Sequence, residues 1–412
     1  MTTPPSSGRV ALLLEGVHES ADPVLAAAGL DVRRVPGSPA PEELIDLAAD
    51  ATYLGIRSRT HVTDAVLRSL PTLEAIGCFC IGTNQVDGAG SAATGRPVFN
   101  SPFSNTRSVA ELTIAEIIGL ARGLVGRTMD MHAGRWHKSV GSSREVRGRT
   151  VGIIGYGHIG SQVSVLAEAM GMHVVYHDIV ERLPLGNARP VSFDELLASS
   201  DFVTVHVPGT ERAEGMMNAA AIERMRPGAM LINNARGSVV DVEAVASAVR
   251  SGHLGGAAID VHPDEPSSSS AAFDTPLAGA PNVILTPHIG GSTHEAQAAI
   301  ARDVATKIAR YETAGTTSGA VNVPEVDLPV ARADQHRILH WHRNVPGVLS
   351  TMHAAVAELG VNINAQHLQS NADVGYVILD VDPAHGPAID ERLANVTETI
   401  RVRSLAPAPG RA

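Results

Sequence analysis

The sequence predicts an α/β chain built from two doubly wound lobes and a small third module. Three observations predict it. Short apolar runs alternate with helical patterns in two separate series. A Gly-rich turn opens the second series directly after an apolar strand. The last part of the chain reads strand, helix, strand, strand, helix, strand.

Composition sets the frame. The 412 residues are 44% hydrophobic and 18% charged, enough apolar material for buried cores, so the disordered class is excluded. At roughly 150 residues per domain the length predicts two or three domains. The 39 glycines and 25 prolines are too few for a low-complexity chain. The 32 basic and 43 acidic side chains leave a net charge of −11 with no Lys/Arg run, so no nucleic-acid partner is expected. Two cysteines fit a reducing, cytoplasmic setting. The early apolar run at 10–14 is too short for a membrane span or a signal-peptide core. The polar start, 1–8, is expected to fray.

In chain order, 10–14, 52–56, 73–78 and 98–100 read as strands, with helices at 21–28 and 42–49. Residues 1–104 form the first segment of one lobe. A long helical pattern at 108–131 follows, with Val109, Leu112, Ile117, Leu120 and Leu124 at helix spacing. The second series has strands at 151–155, 173–178, 202–207, 230–234, 257–260 and 283–286, within a domain at 105–291. A long helix at 292–313 begins a segment, 292–320, that returns to the first lobe and makes that lobe discontinuous. The small, polar stretch 315–333, with the linker proper set at 321–335, precedes the module at 336–412. There 338–342, 361–368, 376–381 and 400–405 read as strands and 348–359 and 389–396 as helices, the ferredoxin-like βαββαβ order.

The strongest local signal is Gly152-Ile-Ile-Gly155-Tyr-Gly157-His-Ile-Gly160. Its strand, turn and helix context is that of a dinucleotide site. Gly155 permits the tight turn, Gly157 lets the backbone approach a pyrophosphate, and Gly160 lets helix and strand pack closely. Asp178 ends the next strand, where a carboxylate accepts from both ribose hydroxyls and repels a 2′-phosphate. The expected cofactor is NAD rather than NADP.

Three later strand ends carry polar groups: Arg236 after the fourth, Glu265 after the fifth and His288 after the sixth. Ligands of open α/β sheets bind beyond the carboxyl ends of strands, so the three are expected to converge. Their types suit oxidation of a 2-hydroxy acid. His288 takes the hydroxyl proton, Glu265 holds the imidazole in its tautomer and stabilises the imidazolium as it forms, and Arg236 clamps a carboxylate. Cys78 and Cys80 lie on one strand face without a second ligand pair, so no metal is expected. His206 reads equally as a cofactor-groove residue, through its backbone, or as a structural one.

Several stretches resemble the D-isomer-specific 2-hydroxyacid dehydrogenases. They are Gly55-Ile-Arg57-Ser58-Arg59-Thr60-His61, the run from Ala75 to Asp87, Phe103-Ser-Asn105-Thr-Arg-Ser-Val-Ala-Glu111, the glycine turn, and Leu285-Thr-Pro-His288-Ile289-Gly290-Gly291-Ser-Thr293. The resemblance covers nearly the whole chain. It implies a Rossmann-like NAD domain, a flavodoxin-like substrate domain and Arg236, Glu265 and His288 as the catalytic trio. It implies cofactor contacts from His158, Ile159, Asp178, Asn234, Ala235, Arg236, Asp260, His288, Ile289, Gly290 and Gly291. It implies a phosphate-bearing substrate held by Arg57, Ser58 and Arg59 with Asn105 nearby, and Lys138, beside Trp136, reaching a neighbouring subunit. The C-terminal unit is similar to an ACT domain, which implies an L-serine effector at His342, Asn344 and Asn362. The linker lacks the Gly-Gly pair usual in relatives.

The reaction so implied is NAD-dependent oxidation of 3-phospho-D-glycerate to 3-phosphooxypyruvate, the first step of L-serine biosynthesis, with serine as inhibitor and 2-oxoglutarate reduction as a side reaction. The expected assembly is a homotetramer. A glycerate/hydroxypyruvate or D-lactate dehydrogenase of the same fold is the nearest rival, and a non-catalytic NAD-sensing regulator a more distant one.

Overall fold

The computed structural model describes residues 8–141, 143–266 and 272–405, and the start of the chain at 1–7 lies outside the described residues. Two compact units are present, one made of 1–104 and 297–412, the other of 105–296.

The first unit opens with five parallel strands: β1 (Val10–Leu13), β2 (Asp31–Arg34), β3 (Ala51–Ile56), β4 (Ala75–Cys78) and β5 (Val98–Phe99), in the order β2-β1-β3-β4-β5. This is the doubly wound flavodoxin-like order. Central strands read as unbroken apolar runs because helices cover both faces. Leu12, Leu54 and Ile76 pack on one side, and Ala11, Leu13 and Tyr53 on the other. Strand β2 has no apolar periodicity and is invisible to sequence reading. It is an exposed edge whose Arg33 and Arg34 pair with Asp50 and Asp22.

The second unit begins with a helix, Thr106–Arg122, and another, Leu124–His132. The single helix expected over 108–131 is broken at Gly123, whose left-handed φ of 56° closes the first helix with hydrogen bonds to Gly119 and Leu120. The seven parallel strands are β6 (Thr150–Ile154), β7 (His173–His177), β8 (Arg189–Pro190), β9 (Phe202–Val205), β10 (Met230–Asn233), β11 (Gly256–Ile259) and β12 (Val283–Leu285). Their order is β12-β11-β10-β9-β6-β7-β8, a Rossmann-like sheet whose strand order reverses at β6/β9. Six of the seven were legible as apolar runs, and the two-residue β8 was not.

Register fixes what this sheet presents. Ile154 pairs with His177 and with Val205, Asn233 with Val205 and with Ile259, and Ile259 with Leu285. The next residue of each strand therefore joins one row along the carboxyl edge: Asp178, Gly155, His206, Asn234, Asp260 and Thr286.

The helix His294–Ala314 carries the chain into the first unit, where Ile300, Val304, Ile308 and Tyr311 enter the same core as Ala11 and Tyr53. The stretch expected to be a linker is packed over much of its length. Thr316, Thr317, Val323 and Val326 are buried, and the Thr317 hydroxyl donates to the Pro324 carbonyl at 2.8 Å and accepts from Val326 N–H at 2.8 Å. Threonine hydroxyls that satisfy backbone groups further along the same stretch imitate linker composition.

The C-terminal module has strands β13 (His336–Arg343), β14 (Ile363–Ser370), β15 (Val374–Val381) and β16 (Thr399–Leu405), all antiparallel, in the order β14-β15-β13-β16. This is the ferredoxin-like strand order, and it is compatible with the ACT domain that the resemblance implies. One face packs Ile338, Leu379 and Val381 on helices Val348–Glu358 and Gly386–Ala394. The other sends Leu339, Trp341, Tyr376 and Ile378 into the core that holds Tyr53 and Tyr311. Beside it Arg403 contacts Glu74 at 2.8 Å and Glu312 at 2.5 Å, while Arg337 and Asp380 form a buried pair at 2.7 Å.

Candidate active site

The nucleotide turn follows from sterics. Gly155 takes φ +91°, and a Cβ there would lie 2.5 Å from the His206 carbonyl oxygen. A Cβ on Gly160 would lie 2.1 Å from the Gly155 oxygen. Gly157 faces open space, with nothing within 4 Å of its would-be Cβ. Two glycines are thus required by the fold, while the third leaves room for an approaching ligand. The helix His158–Ala169 starts here and aims its first N–H groups at that room. The Asp178 carboxylate accepts from Tyr156 N–H at 2.8 Å and Val180 N–H at 3.0 Å, which locks the acid beside the turn. The residues present therefore fit a dinucleotide.

His206 is buried in a way that pushes its pKa down to about 3, so its ring is neutral, and Nε2 lies 2.9 Å from the Thr204 hydroxyl. At this row the His206 carbonyl lies against Gly155, and the neutral ring brings no charge to the edge.

The expected trio lies at the same edge. His288 Nδ1 is 2.8 Å from Glu265 Oε2. That hydrogen bond raises the His288 pKa above its ordinary value; burial and the Arg236 charge work against it, and the charges of Glu265 and Asp260 add to it. Burial pushes the Glu265 carboxyl up, but His288 and the His262 N–H, 3.1 Å from Oε1, bring it below its usual range. An ionised carboxylate against a basic imidazole is the arrangement of a proton acceptor. His288 is held at φ +55°, one of three non-glycine residues with positive φ among those described. Such a conformation persists only where neighbours impose it. Asp260 imposes it: its backbone oxygen accepts from His288 N–H at 2.7 Å, and its carboxylate accepts from Ile289 N–H, Gly290 N–H and the Thr286 hydroxyl at 2.8, 2.8 and 2.6 Å. Asp260, expected as a cofactor contact, is nearly inaccessible, and its visible work is to shape the His288 loop.

Arg236 follows β10 in an extended conformation, its Nη1 donating to the Ala235 carbonyl at 2.7 Å. Asn233, which the sequence reading passed over, builds the turn. It accepts from Ala235 N–H and donates to the Arg236 carbonyl, both at 3.1 Å. Gly237 has no room for a side chain, since a Cβ would meet the His262 backbone at 2.2 Å.

Beneath Asn234 lies a second residue the sequence reading missed. Asn234 Nδ2 donates to Glu116 Oε2 at 2.6 Å and to the Thr113 hydroxyl at 3.0 Å. Burial raises the Glu116 pKa to about 8; the Asn234 hydrogen bond opposes this and the Asp260 charge adds to it. Glu116 stands on the buried helix stripe Val109, Thr113, Glu116, Leu120. A carboxylate on an apolar stripe was the available signal.

Asn105, at the start of that helix, is buried, and a Cβ on Gly291 would meet its amide nitrogen at 2.6 Å. His158 and Lys138 are exposed, and Trp136 beside Lys138 is 80% exposed. Arg57, Ser58 and Arg59 belong to the first unit, past the end of β3, with Ser58 and Arg59 exposed. In the module Asn344 and Asn362 are exposed. His342 is buried, stacked on His340 with ring centroids 5.4 Å apart, and burial lowers its pKa.

Comparison with known proteins agrees with this geometry. Residues 114–290 match the model of the D-isomer specific 2-hydroxyacid dehydrogenase NAD binding domain. D-3-phosphoglycerate dehydrogenase of Haemophilus influenzae is 48% identical over 396 residues, 96% of each chain.

The chain belongs to the D-isomer-specific 2-hydroxyacid dehydrogenase family.

D-3-phosphoglycerate dehydrogenase of Dictyostelium discoideum is 46% identical over 395 residues, 96% of each chain. Among solved structures, D-lactate dehydrogenase from Aquifex aeolicus, complexed with NAD and lactic acid, superposes with a TM-score of 0.62 at 28% identity, over 73% of this chain and 95% of that one. As a member of this family the protein is an NAD-dependent oxidoreductase. In such a site NAD supplies the hydride acceptor, and the row from Gly155 to Thr286 is the edge that would hold it. No helix among the described residues is long and apolar enough to cross a membrane.

Proposed function

We propose that this dehydrogenase oxidises 3-phospho-D-glycerate to 3-phosphooxypyruvate with NAD. The observation that carries the reading is the His288–Glu265 pair, 2.8 Å apart at the carboxyl edge of a nucleotide-binding sheet. The 48% identity to D-3-phosphoglycerate dehydrogenases over 96% of the chain favours this substrate over glycerate or D-lactate.

His288 takes the C2 hydroxyl proton, and the Glu265 carboxylate stabilises the imidazolium as it forms. Arg236 donates to the substrate carboxylate and so orients C2. Arg57, Ser58 and Arg59 supply positive charge and a hydroxyl for the phosphate. Because Glu265 raises the His288 pKa, the ring holds a proton more firmly than a free histidine. Oxidation then gains as pH rises through that raised value, and reduction of a 2-oxo acid such as 2-oxoglutarate gains below it.

The ACT-type module supports serine control, with Asn344, Asn362 and His342 as effector residues. Exposed Leu124, Met129, Met131, Trp136 and Val140 support self-association toward a homotetramer. A cytoplasmic setting agrees with the low cysteine content.

The test is a panel of phosphorylated and unphosphorylated hydroxy acids, each with NAD, followed by NADH absorbance with and without serine. Preferential turnover of 3-phosphoglycerate, reduced by serine, is expected. Preference for glycerate or D-lactate overturns the substrate assignment, and insensitivity to serine overturns the regulatory one. The pair Asn344→Ala and Asn362→Ala is expected to abolish serine inhibition.

A further inference from the structure

Glu15 lies just past β1 and has no role in the reading above, although it touches the loop that does. It is 5% exposed and sits at φ +57°, the left-handed region that a β-carbon disfavours. Its carboxylate explains why the strain is kept. Oε1 accepts from Arg57 N–H at 3.1 Å and from Thr60 N–H at 2.8 Å, and Oε2 accepts from Arg59 N–H at 3.0 Å. Oε2 is also 3.7 Å from the Arg59 Nε. The loop is held from its carbonyl side as well. Gln85 Nε2 donates to the Arg57 carbonyl at 2.6 Å, and the Thr60 and Ser38 hydroxyls are 3.0 Å apart.

This arrangement has a chemical meaning. Exposed loop amides often cradle an anion directly. Here three of the four N–H groups of Arg57-Ser-Arg-Thr60 are already spent on a buried carboxylate. An anion at this loop is left to Ser58 and to the arginine side chains, whose positions depend on the backbone that Glu15 fixes. We infer that Glu15 is a positioning residue for phosphate selectivity: it sets the Arg57–Thr60 loop so that Arg57 and Arg59 meet the substrate phosphate. The inference rests on the 3-phosphoglycerate reading above and adds the group that makes the loop selective.

The test compares the full-length protein with Glu15→Gln, which keeps size but puts an N–H₂ against backbone N–H groups. Kinetics are measured with 3-phosphoglycerate and with D-glycerate, and NAD affinity by fluorescence titration. KM for 3-phosphoglycerate is expected to rise at least about tenfold. Its kcat, the kcat/KM for D-glycerate and the NAD affinity are each expected to move less than about threefold. In an Arg57→Ala, Arg59→Ala background the same substitution is expected to add less than about threefold, because the side chains it positions are gone. If Glu15→Gln does not fold, Glu15→Gly, which accepts φ +57° without strain, serves in its place.

A parental KM in the variant overturns the inference alone. So does an equal loss on both substrates, or a full loss added on top of the double arginine variant. A parent protein with no preference for the phosphorylated acid overturns the substrate reading and this inference with it.

Discussion

Nδ1 of His288 and Oε2 of Glu265 are 2.8 Å apart, and the hydrogen bond between them keeps the imidazole more basic than a free histidine. Removing the carboxylate by Glu265→Gln lowers the His288 pKa. The acid limb of the pH profile of kcat/KM for oxidation is therefore expected to shift to lower pH, while the plateau falls by about 10-fold or more. His288→Asn removes the base itself and is expected to cut turnover by about 10²-fold while NAD titrates the protein normally. A limb that stays in place in Glu265→Gln would contradict the pairing.

Glu116 is expected to make the fold pH-sensitive. Its folded pKa of about 8 lies above the ordinary value of 4.5, so the native state binds the extra proton in that window. Stability from this group is complete below pH 4.5 and declines as pH rises toward 8. Glu116→Gln should lose less thermal stability between pH 5.5 and pH 8.5 than its parent, by an amount on the order of a few kcal/mol. Parallel melting curves across that range would show that the carboxyl does not titrate there.

Asp178 is anchored to Tyr156 and Val180 N–H groups with its charge beside the nucleotide turn. Asp178→Ala is expected to lower the NAD-to-NADP ratio of kcat/KM by about tenfold or more, mainly by relief of repulsion toward a 2′-phosphate. Steady-state kinetics with both cofactors measure it, and an unchanged ratio would assign selection elsewhere.

The Arg337–Asp380 pair is nearly inaccessible, and Arg337 also donates to the carbonyls of Ala314 and Pro329 at 3.0 and 2.6 Å. Arg337→Met leaves a buried carboxylate uncompensated, and a loss of about 3–5 kcal/mol is expected. The double variant Arg337→Met, Asp380→Leu should recover part of it, as urea denaturation would show.

Much of this molecule could be read from residue types because local physics dictates them. Gly155 and Gly160 are required by steric contact, and no other residue fits the turn. His288, Glu265 and Arg236 were legible as polar groups closing apolar strands. Other features depend on partners distant in sequence. Edge strand β2 lacks a buried face and so carries no periodic signal. The break at Gly123 is masked because Leu124 continues the apolar spacing into a helix that buries nothing. Residues 316–326 look like linker because a threonine hydroxyl that satisfies two backbone groups cannot be told from one that meets water. Glu116 carried only the signal of a carboxylate on an apolar stripe, and its partner Asn234, 118 positions away, was supplied by the fold.

The indole of Trp341 stacks on Tyr376 at 3.8 Å, inside a core that also contains Tyr53 and Tyr311. The C-terminal module and the lobe that begins the chain therefore share one interior, although more than two hundred residues separate them. Heat should melt them together as a single cooperative body. A calorimetric scan of this protein would then resolve two endotherms rather than three, and the fluorescence of Trp341 would follow the first and last stretches of the polypeptide at once.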